Sequence, residues 1–463
     1  MAIQRSADRR NGITDGELFG ARVDGQLLRP GDSGYGSARR VFNAMIDRRP
    51  ALIIRCASAR DATAGIMFAA LNGLPLSVKG GGHGVAGDAV CDGGVMLDLS
   101  QMRAIHIDPT RRVATAQPGL TLGELDRATQ AFGLATPTGI MSGTGLSGLT
   151  LGGGLGWLSG KHGLTCDNLL AAELITANGR RITASVHEHQ DLFWGLRGAG
   201  ANFGVVTSFT FRLHPVRTVL AGVLTYPAHR ARAALRLYDE FAAACPDELS
   251  ANASVAKSPD GEPVVSIMVC YAGQVLETGD RLLQPLRSLG PVDNTVAPIP
   301  YKTLQHLPDD GFPGGHQHYW KSGSVTHLGD ELIDVLIEFV KTMPSRASGI
   351  GLQQLHGAAA RMDPSATAYP HRCDRYDLLI LSQWHEPTQS EQNIRWTQDL
   401  FAAVEPHLSG EVYVNNLGAD DKARVARAYG TNHDRLVVLK TAYDPTNLFS
   451  GNHNIRPLST VGR

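Results

Sequence analysis

The 463-residue sequence is short of cysteine, of aromatic residues and of net charge, and each shortage narrows the field. Its six cysteines, Cys56, Cys91, Cys166, Cys245, Cys270 and Cys373, are scattered and form no C-x-x-C pair. Neither a disulfide framework nor a zinc site is therefore expected, and the thiols read as reduced and mostly buried in a cytoplasmic protein. The formal net charge is -1 with no long basic run, which argues against nucleic acid or an anionic membrane as the main partner. No apolar run reaches the roughly 18 residues of a membrane span. The polar opening, Met1 to Arg10, lacks the apolar core of a signal peptide. What remains, 43% hydrophobic and 19% charged, describes a globular chain long enough for two domains.

Glycine, by contrast, is abundant and concentrated. One stretch is Val78-Lys79-Gly80-Gly81-Gly82-His83-Gly84; a second, Gly139 through Gly163, holds ten glycines in 25 residues. Glycine loses the most backbone entropy on folding, so such density needs unusual backbone angles or backbone lying flat against something bulky. Two G-x-G-x-x-G matches occur, Gly82/Gly84/Gly87 and Gly143/Gly145/Gly148. A nicotinamide site needs the motif between a strand and a helix. The first match is followed by Gly93-Gly94 and further strands, the second by Gly152-Gly153-Gly154, which no helix tolerates. Tight turns alone require fewer glycines. The remaining reading is a pyrophosphate held by successive backbone N–H groups.

Along the chain, Ala38 to Ile46 has helical spacing, Ala51 to Cys56 strand length, Asp61 to Leu71 helical spacing and Leu76 to Val78 strand character, leading into the first glycine loop. Val95 to Leu99 and Arg112 to Ala116 read as strands around the turn Asp108-Pro109. Thr121 and Glu124 form a capping box. Ala171 to Ala177, the turn Asn178-Gly179 and the alternating Val205 to Leu213 follow, and Pro215 closes the segment. Beyond it, amphipathic helices (Ala228 to Cys245, Asp330 to Met343, Gln392 to Val404) mix with strand candidates at His318 to Lys321, Gly349 to Leu355 and Tyr376 to Leu381, and with a hairpin at Asp260-Gly261. Glu411 to Val414 reads as a last strand.

Lys79-Gly80-Gly81-Gly82-His83-Gly84-Val85-Ala86-Gly87 resembles the flavin-attachment loop of the berberine-bridge-type FAD-linked oxidases, which have the vanillyl-alcohol oxidase (PCMH-type) fold. The resemblance continues at Pro137-Thr138-Gly139, at Gly152-Gly153-Gly154-Leu155-Gly156-Trp157 and from Lys161 to Asn168. It resumes from Asp191 to Gly200, at Asn202-Phe203-Gly204-Val205-Val206, from Tyr443 to Phe449 and at Asn452-His453-Asn454-Ile455. It implies an α+β protein: a two-part FAD-binding domain over residues 1–215 (core about 47–215), a substrate domain of antiparallel sheet covered by helices over 216–410, and a segment, 411–463, that returns to the flavin domain. In that family the histidine matching His83 bonds to the flavin 8α-methyl, a task that suits a neutral imidazole among glycines. The cysteine that many members bond to flavin C6 falls on Met141, whose thioether cannot form that link, so a single histidyl bond is expected. By the same resemblance Lys79, Gly80, Gly81, Gly82, Gly84, Gly87, Pro137, Thr138, Gly139, Gly145, Gly148, Gly152, Gly153, Gly154 and Gly156 carry the cofactor. Gly198, Asn202, Gly204, Val205 and Val206 hold its adenine side, and Asn452 and Asn454 close the pocket.

Tyr413-Val414-Asn415-Asn416 matches a family strand whose tyrosine often faces the flavin, and on a strand Tyr413 and Asn415 share a face. Tyr413 reads either as a base, whose pKa must fall from about 10 to work near neutrality, or as a tyrosine packed at a domain seam. His316-Gln317-His318 sets two imidazoles on one strand face. A metal would need a third ligand, and pocket lining by His318 with Tyr319 or Lys321 is expected instead. Of Gln353 and Gln354 only one can face the site; Gln353 joins Tyr413 and Asn415 as the catalytic set. The resemblance implies an oxidase similar to bacterial secondary-metabolite tailoring enzymes. It would pass hydride from an alcohol, amine or polyketide-type substrate to flavin N5 and electrons to molecular oxygen. A flavin dehydrogenase that reacts poorly with oxygen, and a flavin-holding cyclase or binding protein without net redox, remain as alternatives.

Overall fold

The computed structural model describes residues 23–258 and 260–459; the polar opening stretch lies outside them. Strands β1 (Gln26–Leu28), β2 (Leu52–Arg55), β3 (Leu76–Lys79) and β4 (Val95–Asp98) form the first sheet in the order β1-β2-β4-β3, with β2 and β3 parallel to β4. Leu52, Ile53 and Ile54 of β2 and all four residues of β4 are buried, as a parallel sheet covered on both faces requires. The helix Ala59–Asn72 links β2 to β3, so β3 delivers the chain into the first glycine loop.

Strands β5 (Ile105–Asp108), β6 (Val113–Ala116), β8 (Leu169–Ile175), β9 (Arg181–Ser185) and β10 (Val205–Arg212) make an antiparallel second sheet ordered β5-β6-β10-β8-β9. Beside it β7 (Leu134–Ala135) pairs with β11 (His214–Pro215). The expected capping box opens the helix Leu122–Gln130: the Thr121 N–H donates to Glu124 Oε2 at 2.9 Å, and the Glu124 N–H reaches back to Thr121 Oγ1 at 3.4 Å.

The third sheet is antiparallel throughout. Its strands are β12 (Thr218–Tyr226), β13 (Leu249–Lys257), β14 (Pro263–Tyr271), β15 (Asp293–Asn294), β16 (Ala297–Pro300), β17 (Gln317–Val325), β18 (Gly349–Leu355) and β19 (Arg375–Trp384), in the order β15-β12-β14-β13-β18-β19-β17 with β16 also beside β12. Helices Ala231–Ala243, Asp330–Thr342 and Ser390–Val404 cover one face. Their Leu235, Tyr238, Leu336 and Leu400 share a core with Val255, Ile267, Leu352, Leu378 and Ile380 of the sheet. Alternation along β18 and β19 therefore turns Gly351, Gln353, Asp377, Leu379 and Leu381 to the uncovered face. Residues beyond 411 return: Val412, Val414, Leu417, Leu436 and Ile455 share a core with Leu192, Phe203 and Phe209 of the second-sheet region. Lys440, fully buried, ties this return down by donating to Asp444, Asn202 O and Phe449 O. The α+β class, with a two-sheet part and a helix-covered antiparallel sheet, is thus observed. No helix among the described residues is long and apolar enough to cross a membrane.

Two local expectations fail. Ala38 to Ile46 is not a helix; only Tyr35–Ala38 makes a turn. Long-range bonds capture the rest: the Phe42 N–H donates to Gly82 O at 2.9 Å, and Asn43 Nδ2 to Val85 O and His318 O. Glu411 to Val414 is not a strand either; the chain passes into a 3-10 turn at Val414–Asn416, which brings Tyr413 and Asn415 together by curvature instead of alternation. The last glycine of the second G-x-G-x-x-G, Gly148, lies inside a short helix, Leu146–Leu151, which stops at Gly152, where the triple glycine begins.

Candidate active site

Between the glycine loops and the uncovered face of the large sheet lies a gap of about 1850 Å³ free of atoms, open mouth included. Gly80, Gly81, Gly82 and Gly84 of the first stretch and Gly139, Gly145 and Gly148 of the second line it. The two stretches meet back to back. A Cβ at Gly81 would stand 2.5 Å from Gly145 Cα, and one at Gly145 only 2.4 Å from Gly81 N. Neither residue can carry a side chain without parting the loops. Gly148 has nothing within 4 Å of a Cβ because it faces the gap. The floor is therefore bare peptide, able to offer backbone N–H groups to a polar ligand lying on it.

Several residues expected on the cofactor do other work. Lys79 Nζ donates to Ala38 O and Arg40 O, anchoring the irregular segment next to the loop. A Cβ at Gly87 would strike Ile46. Gly152, Gly153, Gly154 and Gly156 do not line the gap; their Cβ positions are taken by Asn415, Tyr369, Thr165 and Thr138 O respectively, so these glycines let the returning C-terminal segment and its neighbours pack close. Pro137 is absent from the lining, and Thr138 is buried as the acceptor of a 2.7 Å bond from Gln305. Asn202 accepts from the Ile455 N–H and donates to His453 O, while Val205 and Val206 belong to the cores and Gly204 and Gly198 abut backbone. They support the lining from behind.

His83 stands half-buried at the rim, its ring stacked on Phe42 with centroids 4.0 Å apart and planes 13° off parallel. His318 stacks on the far side of Phe42 at 4.1 Å. Burial brings the His83 pKa down to about 4, so the imidazole is neutral near pH 7. Met141 lines the gap, as does Asn452.

Over the gap, Tyr413, Asn415 and Gln353 all line it, as expected, and the amide of Gln353 donates to Leu155 O at 3.1 Å. Gln354 points the other way and bonds Ala242 O and the Ala251 N–H. The Tyr413 oxygen accepts from the Gly154 N–H at 2.8 Å and from Asn415 Nδ2 at 2.7 Å, leaving its own proton to donate. Burial pushes this phenol well up, the reverse of what a base requires. The substrate assignments on β17 also change. Tyr319 donates to Asp420, Lys321 is paired with Asp420 and Asp421 at 2.9 and 2.8 Å, and His318 is hidden behind Phe42. Trp320, with Leu379, Leu381 and Phe312, lines the gap instead. The strand at Tyr376 to Leu381 was visible in the sequence, but not which of its faces looks onto the glycines. Among the described residues no group of three or more His, Cys, Asp or Glu could hold a metal.

The residues fit the flavin that the resemblance implies. The floor accepts a flat group, a neutral imidazole stands beside it, and the buried amide oxygens of Asn452 and Asn454 have no protein partner and can accept N–H donors. Comparison with known proteins agrees. The family described as "FAD binding domain" matches residues 50–185 and that described as "Berberine and berberine like" matches 412–456. An FAD-linked oxidoreductase of Dictyostelium discoideum is 32% identical, covering 95% of this chain and 96% of its own. (R)-6-hydroxynicotine oxidase of Paenarthrobacter nicotinovorans is 32% identical over 94% of this chain and 97% of its own. The crystal structure of 6-hydroxy-D-nicotine oxidase from Arthrobacter nicotinovorans superposes with a TM-score of 0.86 at 31% identity, covering 94% of this chain and 98% of that one. A chitooligosaccharide oxidase gives 0.83 at 25%, covering 96% and 99%.

Proposed function

The chain belongs to the berberine-type FAD-linked oxidoreductases, and on that premise we propose that it is an oxidase taking hydride from a small organic substrate and passing the electrons to dioxygen. The observation that carries this reading is the neutral imidazole of His83 held beside a floor of bare glycine backbone. Bound FAD supplies the two-electron acceptor. His83, its ring fixed by Phe42, makes the one covalent bond, to the flavin 8α-methyl; Met141, at the second attachment position, makes none. Gly80 to Gly84, Gly139, Gly145 and Gly148 bear the cofactor, and Asn452 and Asn454 accept from it. Tyr413 is a proton-bearing donor into the gap, its oxygen fixed by Asn415 and Gly154, and Gln353 shapes the opposite wall.

Residues 1–215 with 411–463 form the flavin part and 216–410 the roof, so substrate enters between them, as small-molecule sites at domain seams often do. The substrate is an alcohol, amine or polyketide-type intermediate of secondary metabolism; the free, scattered thiols suit the cytoplasm. The test is a panel containing 6-hydroxynicotine, chitooligosaccharides, and aromatic and aliphatic alcohols and amines, mixed anaerobically with the flavin-loaded protein. Bleaching by a member, then rapid recovery and peroxide on admitting air, is the expected result. Bleaching with slow recovery would make the protein a dehydrogenase, and binding without bleaching would remove redox chemistry altogether.

A further inference from the structure

Phe312 lines the gap from a segment that belongs to neither glycine loop and to no sheet, residues 309–315 between the helix Tyr301–Leu304 and β17. Its neighbours Gly311, Pro313, Gly314 and Gly315 are exposed while Phe312 is half-buried, so its ring sits where the gap opens to solvent. The segment is fastened on both sides of that opening. Asp309 accepts from the Ser142 N–H at 3.0 Å and from Ser142 Oγ, beside Met141 on the floor. Gly311 O accepts from Gln383 Nε2 of β19 at 3.0 Å, and His316 O from the Ala44 N–H at 2.9 Å. Between these ties Gly314 has no positive φ and nothing within 4 Å of a Cβ position. Neither crowding nor backbone angle demands glycine there; what it supplies is freedom for the ring to lift and let a molecule pass.

Around Phe312 the gap is lined by Trp320, Leu379, Leu381, Ile140 and Met141. Apart from the Trp320 indole N–H, these side chains carry no hydrogen-bonding group stronger than a thioether. Trp320 is held by edge contacts with Phe42 and His318, ring centroids 6.0 and 5.7 Å apart. Trp320 stands opposite Leu381 on β19, and Gln353 opposite Asp377, so the apolar and amide-bearing regions lie at opposite ends of that stretch. At the amide end the side-chain nitrogens of Gln353, Asn415 and Asn416 already donate within the protein, and Tyr413 keeps one proton to give.

We propose that Phe312 is the specificity residue of this site: its ring closes the gap over the substrate's apolar body and restricts the protein to compact, ring-bearing amines or alcohols with one polar end, shutting out sugars. The proposal rests on the flavin-oxidase reading and narrows its substrate class. A sugar carries a hydroxyl on nearly every carbon, and each one stripped of water beside Phe312 and Leu381 is left without a partner. A flat hydrocarbon ring gives up nothing polar and gains contact with Phe312 and Trp320. An oligosaccharide has in addition to leave through the opening that residues 309–315 cross.

The test is binding to the oxidised, flavin-loaded protein, read anaerobically from the shift of the flavin spectrum. The probes are benzylamine, benzyl alcohol, their naphthylmethyl counterparts, glucose and chitotetraose. Wild type should respond to a benzyl probe and to neither sugar. Phe312→Ala should bind the benzyl probe about tenfold more weakly through the lost ring contact, and the naphthylmethyl probe no worse than wild type does, so the preference between them falls. Phe312→Leu, which keeps an apolar cap, should restore most of it. A wild-type response to glucose or chitotetraose, silence toward every aromatic probe, or an unchanged preference in Phe312→Ala overturns the proposal. Should Phe312→Ala not retain flavin, Phe312→Trp is read in its place: the larger cap should sharpen the preference for benzyl, and an unchanged preference overturns the proposal. Selectivity is read from binding and oxidation from bleaching, so the two readings part. The expected selectivity without bleaching supports the role of Phe312 and strikes the oxidase reading, whereas a wild-type protein that holds no flavin strikes both.

Discussion

Alanine placed in turn at Gly143, Gly145 and Gly148 separates three demands hidden in one motif. At Gly143 a Cβ meets nothing within 4 Å and the residue is exposed away from the gap, so stability should move by no more than about 0.5 kcal/mol. At Gly145 the methyl would lie 2.4 Å from Gly81 N, where ordinary contact begins at 3.4 Å, so two backbones must part by about 1 Å. Overpacking of that kind costs about 1–3 kcal/mol, and the floor is distorted as well. Gly148 is the informative case. It lies inside the helix Leu146–Leu151 with open space around its Cβ position, so alanine should stabilise the apoprotein by roughly 0.5–1 kcal/mol. The same methyl projects into the gap and should weaken FAD binding. Urea denaturation of apoprotein and fluorescence titration with FAD measure the two effects, with every variant made on His83→Ala so that binding stays reversible. If Gly148→Ala binds FAD as tightly as its parent, the flavin does not lie on this helix. If Gly145→Ala loses nothing, the back-to-back contact does not explain the glycines.

Tyr413→Phe should cost about 1–3 kcal/mol in denaturant melts, because the Gly154 N–H and Asn415 Nδ2 lose their shared acceptor in a buried place. Asp444→Ala leaves the ammonium of Lys440 buried without its counter-charge and should cost about 3–5 kcal/mol, read as a large drop in Tm. Acid should destabilise the apoprotein. Burial lowers His83, His318 and His371 to about 4, 3 and 4, whereas unfolded histidine titrates near 6.5. The unfolded chain then binds more protons, and stability is lost as pH falls from about 6.5 toward 4. Asp126 and Asp377, raised to about 7 chiefly by burial, bind protons in the folded state over the same range and soften that loss. His318→Phe should flatten the dependence by up to about 1.4 kcal/mol per pH unit in urea melts at pH 5 and 7; an unchanged slope would show that His318 is not held neutral.

Local signals were legible where local physics decides. The Thr121–Glu124 box, the Asn178-Gly179 turn and the alternation of β10 all needed only neighbours in sequence, and the glycine stretches announced a bare floor. What stayed hidden depends on distant partners. The Phe42 segment has helical spacing, yet Gly82 O and Val85 O capture it. Lys79 and Lys321 look like ligands for a phosphate or a substrate, but backbone carbonyls and the Asp420–Asp421 pair neutralise them. Gly152 to Gly156 resemble more floor and instead make room for Asn415, Tyr369 and Thr165. The strand at Tyr376 to Leu381 was visible, but only the tertiary fold says that its face with Asp377, Leu379 and Leu381 looks onto the glycines.

The central claim is that one imidazole, His83, carries the flavin covalently at a site where Met141 allows no second bond. Acid precipitation of the purified holoprotein, followed by intact mass, measures this directly. The account predicts a yellow pellet and a chain heavier by one FAD, both lost in His83→Ala. A colourless pellet beneath a yellow supernatant would contradict it.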